Sequence, residues 1–137
     1  MVKVVAAESF SRWYRSINAA ANEPTASPAD LELAVLRRDR INALLQTLAR
    51  LDHIPTADNP PTLKRIRQRS RYELWRLGHP YHPKVAVRLV VHFRSNPDEV
   101  VVALVGGDKL GISDQWYDAA VIRAGAALDL YYRQHPR

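Results

Sequence analysis

Cysteine is absent from this 137-residue chain, and methionine occurs once. The first absence excludes disulfides, thiolate zinc sites and a cysteine nucleophile, and it fits a cytoplasmic protein. No uninterrupted apolar run approaches ~18 residues, so no membrane-spanning helix is expected. The opening Met1-Val2-Lys3-Val4-Val5 lacks the apolar stretch and small-residue cleavage site of a secretory signal, so a cytoplasmic location is expected. Acidic residues are nearly missing from the middle of the chain. Between residues 62 and 94, Glu73 stands alone against nine lysines and arginines (Lys64, Arg65, Arg67, Arg69, Arg71, Arg76, Lys84, Arg88 and Arg94). Residues 1–61 balance at seven of each sign, and residues 95–137 are slightly acidic, so the central third holds the whole +6 excess. Charge concentrated in this way attracts polyanions. A phosphate backbone is the expected partner, and an acidic protein is the competitor.

What remains is ordinary globular material, 47% hydrophobic and 25% charged, enough to build a core in one domain spanning 1–137. Residues 2–6 are β-branched and apolar apart from Lys3 and predict a first strand. Phe10, Trp13, Tyr14 and Ile17 then fall on one helical face, and that helix should end near Asn22-Glu23-Pro24. Ser27-Pro28-Ala29-Asp30 is a helix start: a capping hydroxyl, proline at the first helical position and an acid at the positive end of the dipole. Helical spacing continues from Leu31 to Leu51, long enough to return against the first helix as an antiparallel hairpin. From Leu63 the chain reads as sheet, with apolar runs at Tyr72–Leu77, Val85–Phe93 and Val100–Val105, the last two separated by the turn Ser95-Asn96-Pro97-Asp98. Val87, Leu89, Val91 and Phe93 should face the core, with Arg88, Val90 and His92 on the other side. After Gly106-Gly107, Ser113-Asp114 opens a final helix whose buried stripe is expected at Trp116, Ala120, Ala124, Ala127, Leu128 and Tyr131. The expected class is α+β, in the order β-α-α-β-β-β-α.

Several stretches resemble the RelE/HigB superfamily of bacterial and phage toxins, in its phage-derived HigB-like branch. Val-Val-x-x-x-Ser-Phe-x-x-Trp-Tyr, from Val4 to Tyr14, is similar to that family's first strand and helix. Tyr72-Glu73-Leu74-Trp75-Arg76-Leu77, followed by Val87-Arg88-Leu89-Val90-Val91, resembles its central strand pair, in which an arginine opens the second strand. Val101 to Lys109 resembles its last strand and the lysine beyond. Trp116-Tyr117-Asp118-Ala119-Ala120 is similar to the tyrosine-bearing start of its C-terminal segment. The resemblance implies a small, twisted, mainly antiparallel sheet with a helical hairpin on one side and an RNA-binding surface on the other. It further implies cleavage of messenger RNA, often on the ribosome, and a cognate antitoxin protein. The phosphate-binding arginine falls on Arg88, the C-terminal tyrosine on Tyr117 and a basic neighbour on Lys109. Two positions depart from the family. Leu110 and Gly111 replace an arginine common after that lysine, and Glu73 with Trp75 or Arg76 stand where some members carry paired lysines.

Cleaving RNA with its own 2′-hydroxyl needs a base, positive donors for the crowded phosphate and an acid for the departing 5′-oxygen; no cofactor or metal is required in principle. Arg88 suits the phosphate, because a guanidinium is planar, bidentate and always charged. Its bland alternative is an edge salt bridge with Glu73 or Asp108. His92 could act as acid or base, although a lone strand histidine is more often a packing residue. Glu73 could be the base, or only the ion-pair partner of a nearby arginine. Tyr117 could donate to phosphate or stack on a base, or simply cover the core. Asp108 reads as a turn residue. Arg65, Arg67, Arg69 and Arg71 alternate, so in an extended strand they would line one face and, with Lys64 and Arg76, track successive phosphates. Gly106-Gly107-Asp108-Lys109 lacks the spacing of a phosphate-cradling nucleotide loop, and His79-Pro80-Tyr81-His82 lacks a third ligand for zinc. Three function classes follow: a metal-independent endoribonuclease toxin, a module on the same scaffold that binds nucleic acid or protein without cleaving, and a phage-derived scaffold or regulatory protein whose helical hairpin is the interface.

Overall fold

The computed structural model describes residues 2–56, 62–78, 83–95, 99–109 and 115–136. The 79–82 segment, most of the 95–98 turn, Leu110-Gly111 and Ser113-Asp114 lie outside the described residues. The elements run β1 (Lys3–Ala6), α1 (Glu8–Ala21), α2 (Pro28–Ala49), β2 (Leu63–Arg65), β3 (Trp75–Gly78), β4 (Val87–Arg94), β5 (Val100–Asp108) and α3 (Gln115–Gln134). No described helix is long and apolar enough to cross a membrane.

The start of α2 follows from its residue types. Ser27 is extended and its hydroxyl accepts the Asp30 N–H at 3.2 Å, with Pro28 at the first helical position. The helix runs 22 residues, about 33 Å, and ends two residues before Leu51. It packs on α1, where the Tyr14 hydroxyl donates to Asn42 at 2.7 Å.

The five strands form one open sheet in the order β1-β5-β4-β3-β2, with β1 parallel to β5 and the other pairs antiparallel. The expected order therefore gains a short strand, because Leu63, Lys64 and Arg65 pair with Leu77, Arg76 and Trp75. The alternation of β4 divides two cores. Val87, Leu89 and Val91 join Trp75, Leu77, Ile41, Leu44 and Leu48 beneath α1 and α2, while Val90 joins Val102, Leu104, Ala120, Ala124 and Leu128 beneath α3. The register between β4 and β5 slips at Val90/Val91, leaving Leu104 as an extra residue on β5. Both Leu104 and Val105 then turn toward α3.

The second half of α3 is held to the sheet by polar contacts. Asp129 accepts the Tyr72 hydroxyl at 2.5 Å and pairs with Arg71. The Tyr72 hydroxyl first, and Arg71 next, hold the Asp129 carboxyl below its ordinary value. A lowered carboxyl contributes stability above its unfolded value of about 3.9, and loses it as pH falls through the folded one. Tyr72→Phe combined with Arg71→Ala is expected to raise the Asp129 carboxyl toward the ordinary carboxylate range in a carbon-13 NMR titration. An unmoved titration would show that these contacts do not form.

Candidate nucleic-acid interface

The strand register gathers cations on the α3 face. Leu63 and Arg65 of β2 sit opposite Leu77 and Trp75, residues of the α1/α2 side, so Lys64 and its partner Arg76 turn the other way. Like charges placed directly opposite each other in a sheet repel. One row further along, Gly78 pairs with Arg88, and Arg88 in turn with Gly107. The Arg88 side chain lies across Gly78, where a Cβ would come 2.6 Å from its Nε. Glycine at 78 is what lets the guanidinium lie flat there, and Nη1 donates to the Val87 carbonyl at 2.8 Å. Lys109, just past β5, is fixed by its N–H bond to the Ala86 carbonyl at 3.0 Å.

Tyr117, in the first turn of α3, brings Arg76 and Lys109 together. Its ring, 2% exposed, carries the Arg76 Cζ 5.3 Å from its centroid and the Lys109 Nζ at 5.1 Å. Its hydroxyl is buried and has no hydrogen-bond partner among the described residues, a cost of about 1–3 kcal/mol for such a group. Tyr117 also lines a polar cavity of about 240 Å³, walled by Lys64, Arg65, Arg67, Gln68 and Arg76. Among the described residues, none of Lys64, Arg67, Arg76 and Arg88 pairs with a carboxylate.

The other residues singled out by sequence lie elsewhere. His92 is 7% exposed, with Nδ1 donating to the Glu73 carbonyl at 2.9 Å and Nε2 bonded to the Tyr132 hydroxyl at 3.1 Å. It shares a face with Arg88 but is packed under the far half of α3. Glu73 accepts the Trp75 indole N–H at 3.1 Å and lies 3.8 Å from Arg65, the ion-pair alternative weighed for it. Asp108 holds Arg37 at 3.1 Å and the Ala86 N–H at 2.8 Å, tying α2 to the sheet.

The arginine alternation does not form one strand face. Arg65, Arg67, Arg69 and Arg71 are all exposed, but only Arg65 is in a strand. Past it the chain leaves the ladder after one further bond, from the Ile66 N–H to the Leu74 carbonyl, and Ser70 then caps a turn at Tyr72. Arg65 lies over the Trp75 ring, Arg67 enters the cavity wall, Arg69 borders a separate hollow near Asp129, and Arg71 is held by Asp129. Sequence reasoning also missed Gly78 and Gly107, whose meaning depends on what lies over them. A glycine in an otherwise apolar strand was the available signal.

Among the described residues, no three His, Asp or Glu side chains gather as a metal site. Comparison of the chain with protein-family models, with curated proteins and with solved structures finds no match in any of the three.

The geometry allows a direct test of Arg88 without removing it. Gly78→Ala would force the arginine side chain off β3, which a flexible side chain tolerates, so the fold should keep its denaturation midpoint. If this face holds a phosphate backbone, RNA binding should weaken by about 10-fold or more, the worth of a charge-assisted hydrogen bond. Equal affinity of the variant and the parent in a filter-binding titration would show that the position of Arg88 does not matter.

Proposed function

We propose that this chain is a RelE-like RNA-binding toxin that cleaves messenger RNA by attack of the 2′-hydroxyl on the adjacent phosphorus. The observation that supports this reading is the gathering of Arg76 and Lys109 on the Tyr117 ring and of Lys64 in the cavity beside it, with Arg88 next along the same sheet face, about a buried hydroxyl that has no partner among the described residues. Lys64, Arg76 and Arg88 have no carboxylate partner among the described residues; cations so placed favour a bound anion, and a phosphate undergoing in-line displacement develops the extra negative charge they would stabilise. Arg76 and Lys109 lie on the tyrosine ring in the free protein. A phosphate that draws them outward would uncover the hydroxyl as a donor to the departing 5′-oxygen. The reading brings an antitoxin protein as partner and messenger RNA, on or off the ribosome, as substrate.

One observation favours a second reading, a module that binds RNA without cutting it. Both candidate bases, His92 and Glu73, are engaged away from the cation cluster. A single assay separates the two: incubate the purified chain with end-labelled RNA in excess chelator. Cleavage giving 2′,3′-cyclic or 3′-phosphate ends supports the toxin; binding without products selects the module; absence of binding at low salt sinks both. The logarithm of affinity for single-stranded RNA should fall with the logarithm of salt by about 0.7 per phosphate contact. Lys64→Ala or Arg67→Ala should each flatten that slope by about 0.7, and an unchanged slope would place these residues off the RNA path.

A further inference from the structure

The charge cluster leaves one large aromatic on its face without a role. Gly106 and Gly107 of β5 each have an indole laid against them from opposite sides of the sheet, Trp13 of α1 on Gly106 and Trp116 of α3 on Gly107. A Cβ at 107 would come 2.9 Å from both Cζ2 and Nε1 of Trp116. Gly107 is also the register partner of Arg88, whose side chain turns the other way, across Gly78. One row of the sheet therefore holds a guanidinium on one side of β4 and an indole on the other. The indole is braced by the Tyr117 ring, edge-to-face at 4.9 Å and 83°, and is only half-buried, whereas Tyr117 beside it is sealed. Among the described residues its N–H has no hydrogen-bond partner. A rigid, partly open aromatic beside an unpaired arginine is the pairing by which proteins hold unpaired bases, the ring stacking and the cation taking the phosphate.

We propose that Trp116 is the stacking platform for an unpaired nucleobase whose phosphate is held at Arg88. This rests on the RNA-binding reading of the face and adds to it a subsite that selects single strands over duplex. Stacking of this kind is worth about 5- to 100-fold in affinity per base. Trp13 is the internal control: it too covers a glycine of β5, but on the face away from the cations.

The test compares a short single-stranded oligoribonucleotide with an abasic ribose-phosphate oligomer of equal length at low salt. The parent protein and Trp13→Phe should prefer the base-bearing oligomer by about 5- to 100-fold and lose tryptophan fluorescence on binding it. Trp116→Leu should bind both oligomers equally, at the affinity the parent shows for the abasic one. Trp116→Phe should keep part of the preference and lose the quenching. Equal binding of the two oligomers by the parent, a comparison that needs no variant, would overturn the stacking role while leaving the cationic face intact. Preference undiminished in Trp116→Leu would do the same. Binding of neither oligomer would overturn the RNA reading itself, and the platform with it.

Discussion

Under the proposed cleavage reaction, Arg88→Ala is expected to lower the rate by about 10²- to 10³-fold, the usual cost of removing one donor aimed at charge that develops in a transition state. The loss should fall on the chemical step more than on binding, because Lys64, Arg67, Arg76 and Lys109 remain to attract the strand. Stability should hardly move. The side chain is half-buried, and among the described residues its one hydrogen bond is to the carbonyl of Val87, in its own strand. Removing one charge from a group of like charges also relieves repulsion. Arg88→Lys should fall between, since an ammonium keeps the charge but loses the planar two-pronged donor. Single-turnover cleavage in chelator, with urea denaturation of the same preparations, gives both quantities. Cleavage at the parental rate by Arg88→Ala would remove this residue from the reaction and leave the cluster as a binding surface.

What was legible in the sequence was what short-range chemistry controls. The cap at Ser27 and the proline after it need no tertiary partner, and α2 begins where they place it. Period-two alternation in β4 assigned Arg88 and His92 to one face, and both do face the α3 side. What alternation could not supply is distance along that face to the next element. Tyr132, forty positions from His92 in sequence, closes over the imidazole and takes it into a packed polar network. The arginine run misled for a related reason. Its spacing fits a long strand, but β3 offers β2 only three ladder partners, so the chain turns away and its arginines disperse. In α3 the expected stripe is buried at Ala120, Ala124, Leu128 and Tyr131, while Trp116 and Ala127 are only partly buried and Tyr117 and Val121 join it. Gly107, lacking a Cβ, leaves room for the Trp116 indole against the sheet.

Trp75→Ala should produce the largest loss of stability of any single change considered, about 3–5 kcal/mol. The indole is 1% exposed, meets Phe93 edge-to-face at 5.8 Å, and donates its N–H to Glu73 at 3.1 Å. Alanine there would leave a cavity between sheet and helices that the strands on either side cannot close. Against a total of about 5–15 kcal/mol for a domain, that loss brings the chain near its unfolding threshold. The effect should also reach the cation cluster. β2 is three residues long, and the Arg65 guanidinium packed 5.1 Å over the Trp75 ring is one of its anchors. Once that anchor is lost, Lys64 is no longer held opposite Arg76, and the wall of the cavity beside Tyr117 loosens. Two measurements follow: a urea midpoint lowered at constant slope, and faster amide hydrogen exchange at Leu63–Arg65 than at β4 under native conditions. Trp75→Phe, which keeps a ring beneath Arg65, should recover most of the protection. A midpoint that does not shift in Trp75→Ala would mean that the sheet is not held at this point, and that Lys64 owes its position to something other than the strand pair.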